Sequence, residues 1–229
     1  MKALILAAGR GERMRPLTDT CPKPLLEAGG KALIVWHLER LAAAAFKDIV
    51  INHAHLGTMI EERLGDGRRW GLRIAYSPES RGALETAGGI NNALPLLGAD
   101  PFLVVNADIW CDWPPEHARA RGATLLRRGD LAHLLLVANP PHHPDGDFSL
   151  SHDRVGVDGP ITHTFAGIGI YAADLFAGLR RGEPARLGPL LRSAAAAGRV
   201  GGELYGGTWT DVGTAQRLAT LDAELRHAV

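Results

Sequence analysis

The chain is 229 residues long, and its 25 Lys and Arg balance its 25 Asp and Glu, so the formal net charge is zero. That balance argues against a general nucleic-acid binder, which carries a basic excess; the lack of an apolar run of roughly 20 residues, and of a leader pattern at Met1, argues against a membrane partner. Two cysteines, Cys21 and Cys111, are too few for a secreted disulfide framework, so a reducing cytoplasm is the expected compartment.

In chain order, KALILA (2–7) predicts a buried strand, and the spacing of ALIVWHLERLAAAA (32–45) predicts a helix. DIVIN (48–52) predicts a second strand, and LGTMIEERLGDG (56–67) a short helix ending on glycine. LRIAY (72–76), PFLVVN (101–106) and AHLLLVA (132–138) read as strands, with a helix over ETAGGINNAL (85–94). The stretch from 139 to 165 is rich in Pro, Gly, Asp and His, and its short strands suggest a lid or an antiparallel insertion. TFAGIGIY (164–171) returns to strand, and helices are expected at 187–197 and 213–226. Continuous apolar strands separated by helices require a sheet covered on both faces: an α/β fold with a mostly parallel core. With no internal repeat and no low-complexity linker, a single domain over 1–229 is expected.

The segment LILAAGRGERMRPLT (4–18) breaks from the first strand into glycines and positive charge. In an open α/β sheet, ligands bind beyond the carboxyl ends of the strands, and this loop lies there. Gly9 and Gly11 have access to backbone angles closed to other residues, and would let a phosphate approach the amides, with Arg13, Arg15 and Lys23 supplying charge. The spacing matches neither the dinucleotide fingerprint nor the P-loop, so on its own the loop is equally compatible with a solvated surface loop.

The longer stretch, LAAGRGERMRPLT with PKP at 22–24, resembles the signature of the sugar-1-phosphate nucleotidylyltransferases. Gly9, Gly11, Arg13, Pro16, Leu17, Pro22, Lys23 and Pro24 all match it. The resemblance implies a Rossmann-like mixed sheet, and an enzyme that joins a nucleoside triphosphate to a sugar 1-phosphate with release of pyrophosphate. It assigns nucleotide binding to Gly9, Gly11, Glu12, Arg13 and Lys23, with Arg13 on the triphosphate and Lys23 on phosphate.

FLVVNADIW ends a strand on Asn106 and Asp108, and YGGTWTDVGT places Asp211 just before a helix. A lone Asp at such a place often caps a helix or sits in a turn. Carboxylates beside a polyphosphate also suit Mg²⁺, which wants hard oxygen ligands. The resemblance favours Mg²⁺ on Asp108 and Asp211, although Ala107 stands where the family has Gly.

SPESRGALETAGG (77–89) resembles the segment that lines the nucleobase, with Glu85 in place of the usual Gly before Thr86. Glu79 could accept the imide hydrogen of uracil or thymine, or the N1 and N2 hydrogens of guanine; an exposed loop acid is the plain alternative. On the sugar side the Glu-Lys-Pro motif of hexose-1-phosphate members is absent between Asp147 and Thr164. INHAHLG (51–57) and NPPHHPDGDF (139–148) instead resemble the branch that takes UTP and N-acetylmuramic acid α-1-phosphate in cell-wall sugar recycling. That branch makes Asn106, Asn139 and Asp147 candidates for the sugar phosphate, with His142 and His143 as loop residues nearby.

Mannose 1-phosphate with GTP, glucose 1-phosphate with dTTP, and a non-catalytic nucleotide-sugar sensor stand as alternatives. A sensor would have no need of the two aspartates. A carboxy-terminal hexapeptide-repeat domain, and trimerisation through one, is not expected.

Overall fold

The computed structural model describes residues 1–79 and 82–227. In chain order its strands are β1 (Ala3–Leu6), β2 (Glu27–Ala28), β3 (Lys31–Ala32), β4 (Asp48–His53), β5 (Arg73–Pro78), β6 (Phe102–Asn106), β7 (Ile109–Cys111), β8 (Ala132–Val137), β9 (Phe148–Ser151), β10 (Arg154–Gly156), β11 (Thr162–Tyr171), β12 (Val200–Tyr205) and β13 (Trp209–Asp211). The helices are α1 (Leu17–Thr20), α2 (Leu33–Ala43), α3 (Gly57–Leu64), α4 (Glu85–Leu97), α5 (His117–Arg128), α6 (Leu187–Ala196) and α7 (Ala215–His227).

Nine strands form one mixed sheet in the order β5-β4-β1-β6-β11-β8-β12-β10-β9. Its parallel character is concentrated in β5-β4-β1-β6, where Leu4 and Ile5 of β1 pair with Val50 and Ile51 on one side and Val104 and Val105 on the other. Strands β1, β4 and β6 are buried on both faces, which is why they read as mostly Leu, Ile and Val, whereas the edge strand β5 is largely exposed. Helices α2, α3 and α5 cover one face, with Ile34, Leu38, Leu41, Ile60 and Leu125 in the core. Helices α4 and α6 cover the other, through Ile90, Leu97, Leu187 and Leu191. Each such Leu or Ile taken out of water contributes roughly 1.5–3 kcal/mol.

The segment 139–165 supplies the hairpin β9–β10, which extends the sheet edge beside β12 and also pairs with the start of β11. Strand β11 runs antiparallel to β6, and its register against β8 shifts between Phe165 and Gly169. In that irregular stretch Gly167 has φ +76°, and a Cβ there would lie 2.7 Å from Asn106 Nδ2. The bulge thus brings backbone against the end of β6, as bulges near functional sites commonly do. Trp209 Nε1 donates to Ala166 O at 2.8 Å, which satisfies the carbonyl the bulge leaves unpaired.

A third apolar cluster joins Met14 of the glycine loop, Leu26, Ala28, Leu33 and Val212 to Leu218, Leu221 and Leu225 of α7. No helix among the described residues is long and apolar enough to cross a membrane.

Candidate active site

A cavity of about 560 Å³ opens beyond the carboxyl ends of β1, β4, β5 and β6. This is where a doubly wound sheet leaves a crevice. Gly9, Gly11, Glu12, Arg13, Lys23, Glu79, Thr86, Asn106 and Asp108, all singled out from the sequence, line it. Asp211, Asn139 and Asp147 do not, although Gly213, two residues beyond Asp211, does.

The two loop glycines differ in kind. Gly11 has φ +66°, and a Cβ on it would meet Thr18 Cγ2 at 2.8 Å. Its carbonyl accepts from Met14 N at 2.8 Å and from Thr18 Oγ1 at 2.9 Å, so the loop closes on a tight left-handed turn. Gly9 adopts no such angle, and a Cβ there would meet nothing within 4 Å. The expectation of special angles at both glycines is therefore corrected: Gly9 leaves open space on the cavity wall, while Gly11 alone needs glycine's backbone freedom.

Behind the loop lies a chain of buried hydrogen bonds. Ala7 N donates to Asn52 Oδ1 at 2.8 Å, and Asn52 Nδ2 donates to Glu79 Oε1 at 2.7 Å. Leu84 N donates to Glu79 Oε2 at 2.7 Å. Glu79 is only 4% exposed, so the alternative of an exposed loop acid fails. Burial pushes its carboxyl above the ordinary value, against the hydrogen bonds from Leu84 and Asn52. Asn52 went unnoticed in the sequence. The signal for it was present: like Asn106, it is a polar residue near the carboxyl end of an apolar strand.

At the start of α4, Glu85 stands at φ +59°, an angle that favours glycine. Its side chain is about half exposed at the cavity, 3.9 Å from Arg186 Nε. Of the expected base-lining segment, Ser80 and Arg81 lie outside the described residues.

The two aspartates are brought together by the pairing of β7 with β13, in which Asp211 is opposite Ile109 and Val212 N donates to Asp108 O at 2.8 Å. Each carboxylate meets a cation of the chain itself. Lys23 Nζ, on a side chain only 8% exposed, donates to Asp108 Oδ2 at 2.5 Å. Arg217 Nη1 lies 2.6 Å from both oxygens of Asp211, and His142 Nε2 lies 3.0 Å from Oδ1. His142, expected only near the sugar, thus touches an expected metal residue. Among the described residues no group of three or more His, Cys, Asp or Glu side chains is arranged to hold a metal. Two carboxylates, Asp211 on β13 and Asp108 in the turn that leads into its partner strand β7, nevertheless fit a hard divalent ion that completes its shell with phosphate oxygens.

Asn139 and Asp147 are engaged within their own segment. Asn139 Nδ2 donates to Pro144 O at 2.8 Å and to Thr162 O at 3.1 Å, and its Oδ1 accepts from Thr164 Oγ1 at 3.0 Å. Asp147 Oδ2 accepts from Phe165 N at 2.8 Å, and its Oδ1 faces His143 Nε2 at 3.2 Å. Both side chains staple the 139–147 loop to the start of β11.

Comparison with known proteins agrees with this geometry. A family profile described as Nucleotidyl transferase matches residues 2–142. The N-acetylmuramate alpha-1-phosphate uridylyltransferase of Neisseria meningitidis serogroup B is 56% identical over 226 residues, covering 97% of each chain. The enzyme of the same name from Caulobacter vibrioides is 38% identical over 242 residues, covering 99% of this chain and 97% of its own. A crystal structure from Bacillus anthracis, assigned as a glucose-1-phosphate thymidylyltransferase in complex with sucrose, superposes with a TM-score of 0.85. It shares 21% identity over 99% of this chain and 95% of its own, a likeness of fold. With its glycine loop, the buried acid Glu79 and Asp108 lining one crevice, this chain belongs to the nucleotidyl transferase family.

Proposed function

We propose that the protein transfers a uridylyl group from UTP to N-acetylmuramic acid α-1-phosphate, giving the nucleotide sugar and pyrophosphate. The observation that carries this reading is the match to two uridylyltransferases along essentially their whole length, the 139–165 segment included.

The glycine loop and Arg13 would hold the triphosphate, and Lys23, lining the same cavity, would bear on its phosphates. Glu79 and Thr86 line the side assigned to the base, and Asn106 the side assigned to the sugar phosphate. Asn139 and Asp147, as staples of their loop, would shape the sugar side. The attacking sugar-phosphate oxygen is already an anion, so the chain need supply no general base. Its contribution is alignment and neutralisation of charge. Mg²⁺ held by Asp108 and Asp211 would supply electrostatic stabilisation of the phosphates. This reading places the protein in the cytoplasm, with its substrates, in cell-wall sugar recycling.

The test is a pyrophosphate-release assay crossing five nucleoside triphosphates with several sugar 1-phosphates. UTP with N-acetylmuramic acid α-1-phosphate is expected to give the highest kcat/KM. A higher value for GTP with mannose 1-phosphate, or for dTTP with glucose 1-phosphate, would replace this reading with that pair. No release from any pair, with nucleotide sugar still bound, would favour a sensor.

A further inference from the structure

Arg217 occupies an unusual position for an arginine. It lies in the first turn of α7, where the helix dipole disfavours a cation. It does not meet Asp211 through the usual fork of two nitrogens. A single nitrogen, Nη1, stands 2.6 Å from Oδ1 and 2.6 Å from Oδ2. That is the place of a point charge bound to both oxygens of a carboxylate. The same nitrogen lies 2.6 Å from His142 Nε2. Room for the guanidinium comes from Gly213, where a Cβ would collide with Arg217 Nη2, and Gly213 itself lines the cavity. The backbone of Arg217 is held separately, its N–H donating to Thr214 Oγ1 at 3.3 Å, so the side chain can leave without unwinding the helix.

We infer that Arg217 is an exchangeable cation for Asp211: it neutralises the carboxylate in the metal-free protein and is displaced when a divalent ion binds. A doubly charged ion on Asp211 and a guanidinium in the same place repel each other, so only one can hold both oxygens. The displaced guanidinium stays beside Gly213 at the cavity wall, with its donors free for an anionic substrate. His142 shares both partners, so the exchange also removes one anchor of the 139–147 loop. Arg217 is in this sense a positioning residue that acts through Asp211. The inference rests on Asp211 being a metal residue.

The test is Mn²⁺ binding, followed by the loss of the free-ion EPR signal, in the absence of substrates. Arg217→Gln is expected to bind Mn²⁺ about five-fold more tightly or better, because the competitor is gone. In an Asp211→Asn background the same substitution is expected to give no gain. Affinity that is unchanged or weakened in Arg217→Gln, or a gain that persists without Asp211, would overturn the exchange. If Asp211→Asn alone leaves Mn²⁺ binding unchanged, the metal assignment itself fails, and the two failures are thereby distinguished. Should Arg217→Gln not fold, the unaltered protein serves: Mg²⁺ is expected to shift the Arg217 Nε–H resonance in NMR spectra, and a resonance that stays fixed at saturation refutes the exchange.

Discussion

Lys23 and Asp108, 85 residues apart in sequence, meet at 2.5 Å on the floor of the cavity. The lysine is buried and held between Pro22 and Pro24, which restrict the backbone on either side and aim the side chain. The aspartate is far more exposed, at 43%. Removing the ammonium therefore leaves a carboxylate that water can reach. Lys23→Ala is expected to lower kcat/KM by about ten- to a hundred-fold, the worth of a charge-assisted phosphate contact of roughly 1.5–3 kcal/mol. The melting temperature should fall only slightly. A collapse in Tm with normal turnover per folded molecule would make the lysine structural.

Glu79→Gln is nearly isosteric, yet it should destabilise the protein. The chain from Ala7 through Asn52 to Glu79 begins on a backbone N–H, and Glu79 also accepts from the backbone N–H of Leu84. With donors at both ends, the group between Asn52 and Leu84 must accept twice. Glutamine brings an NH₂ to one of those places, and turning Asn52 over only moves the conflict to Ala7. The expected cost is about 1–3 kcal/mol, read as a lower urea midpoint at unchanged slope. An unaltered midpoint would show that the chain tolerates an amide.

Glu85→Gly should have the opposite effect on stability. A left-handed backbone costs a residue with a Cβ about 1–2 kcal/mol, partly offset by the freedom glycine has when unfolded. A net gain of up to about 1 kcal/mol corresponds to a Tm raised by about 2–4 °C. Discrimination among nucleoside triphosphates should weaken, since the carboxylate is lost from the cavity. Comparing kcat/KM for UTP, dTTP and GTP checks this; higher stability with unchanged selectivity would leave the strain without a functional counterpart.

Glu203 gives a pH dependence remote from the cavity. Its side chain on β12 accepts from Trp113 Nε1 at 3.2 Å and from Arg121, with His133 Nε2 at 3.8 Å. Burial alone would raise its carboxyl, but the nearby imidazole of His133 and the hydrogen-bonded guanidinium of Arg121 bring it down to about 2 from an ordinary 4.5. A depressed acid stabilises above its unfolded value and loses that contribution as pH falls through the folded one. The wild type should thus lose stability between pH 4.5 and about 2, and Glu203→Gln should flatten this part of the profile. The measurement is Tm against pH for both proteins, with kcat unchanged at neutral pH.

The strands over 48–52 and 101–106 are legible in the sequence because burial on both faces demands unbroken apolar runs. Strand β12, VGGELY, carries two glycines and a glutamate, and its place in the sheet depends on Gly202, where a Cβ would meet Val155. Helix α5 hides for a different reason: HARARGATLLRR buries only Ala118, Gly122 and Leu125 and turns its arginines outward. In the site, the glycine loop is legible because its residues are contiguous. The meeting of His142, Asp211 and Arg217 is not, because it depends on the pairing of β13 with β7 and on the path of the 139–147 loop. Asn139 and Asp147 show the converse limit: a polar residue in a loop rich in such residues can be occupied in holding that loop.

Met14, three residues past Gly11, packs in one cluster with Leu221 and Leu225 of α7, and Asp222 of the same helix accepts from Gly29 N at 2.8 Å. Met14 of the glycine loop is synthesised 207 residues before Leu221 of the helix that seats it, the difference between positions 221 and 14. At translation speeds of about 5–20 residues per second, roughly 10 to 40 seconds separate the two. Through that interval the apolar underside of the loop has no carboxy-terminal helix to cover it. A nascent chain can thus assemble the parallel strands early, yet it gains a seated glycine loop only once α7 has emerged from the ribosome.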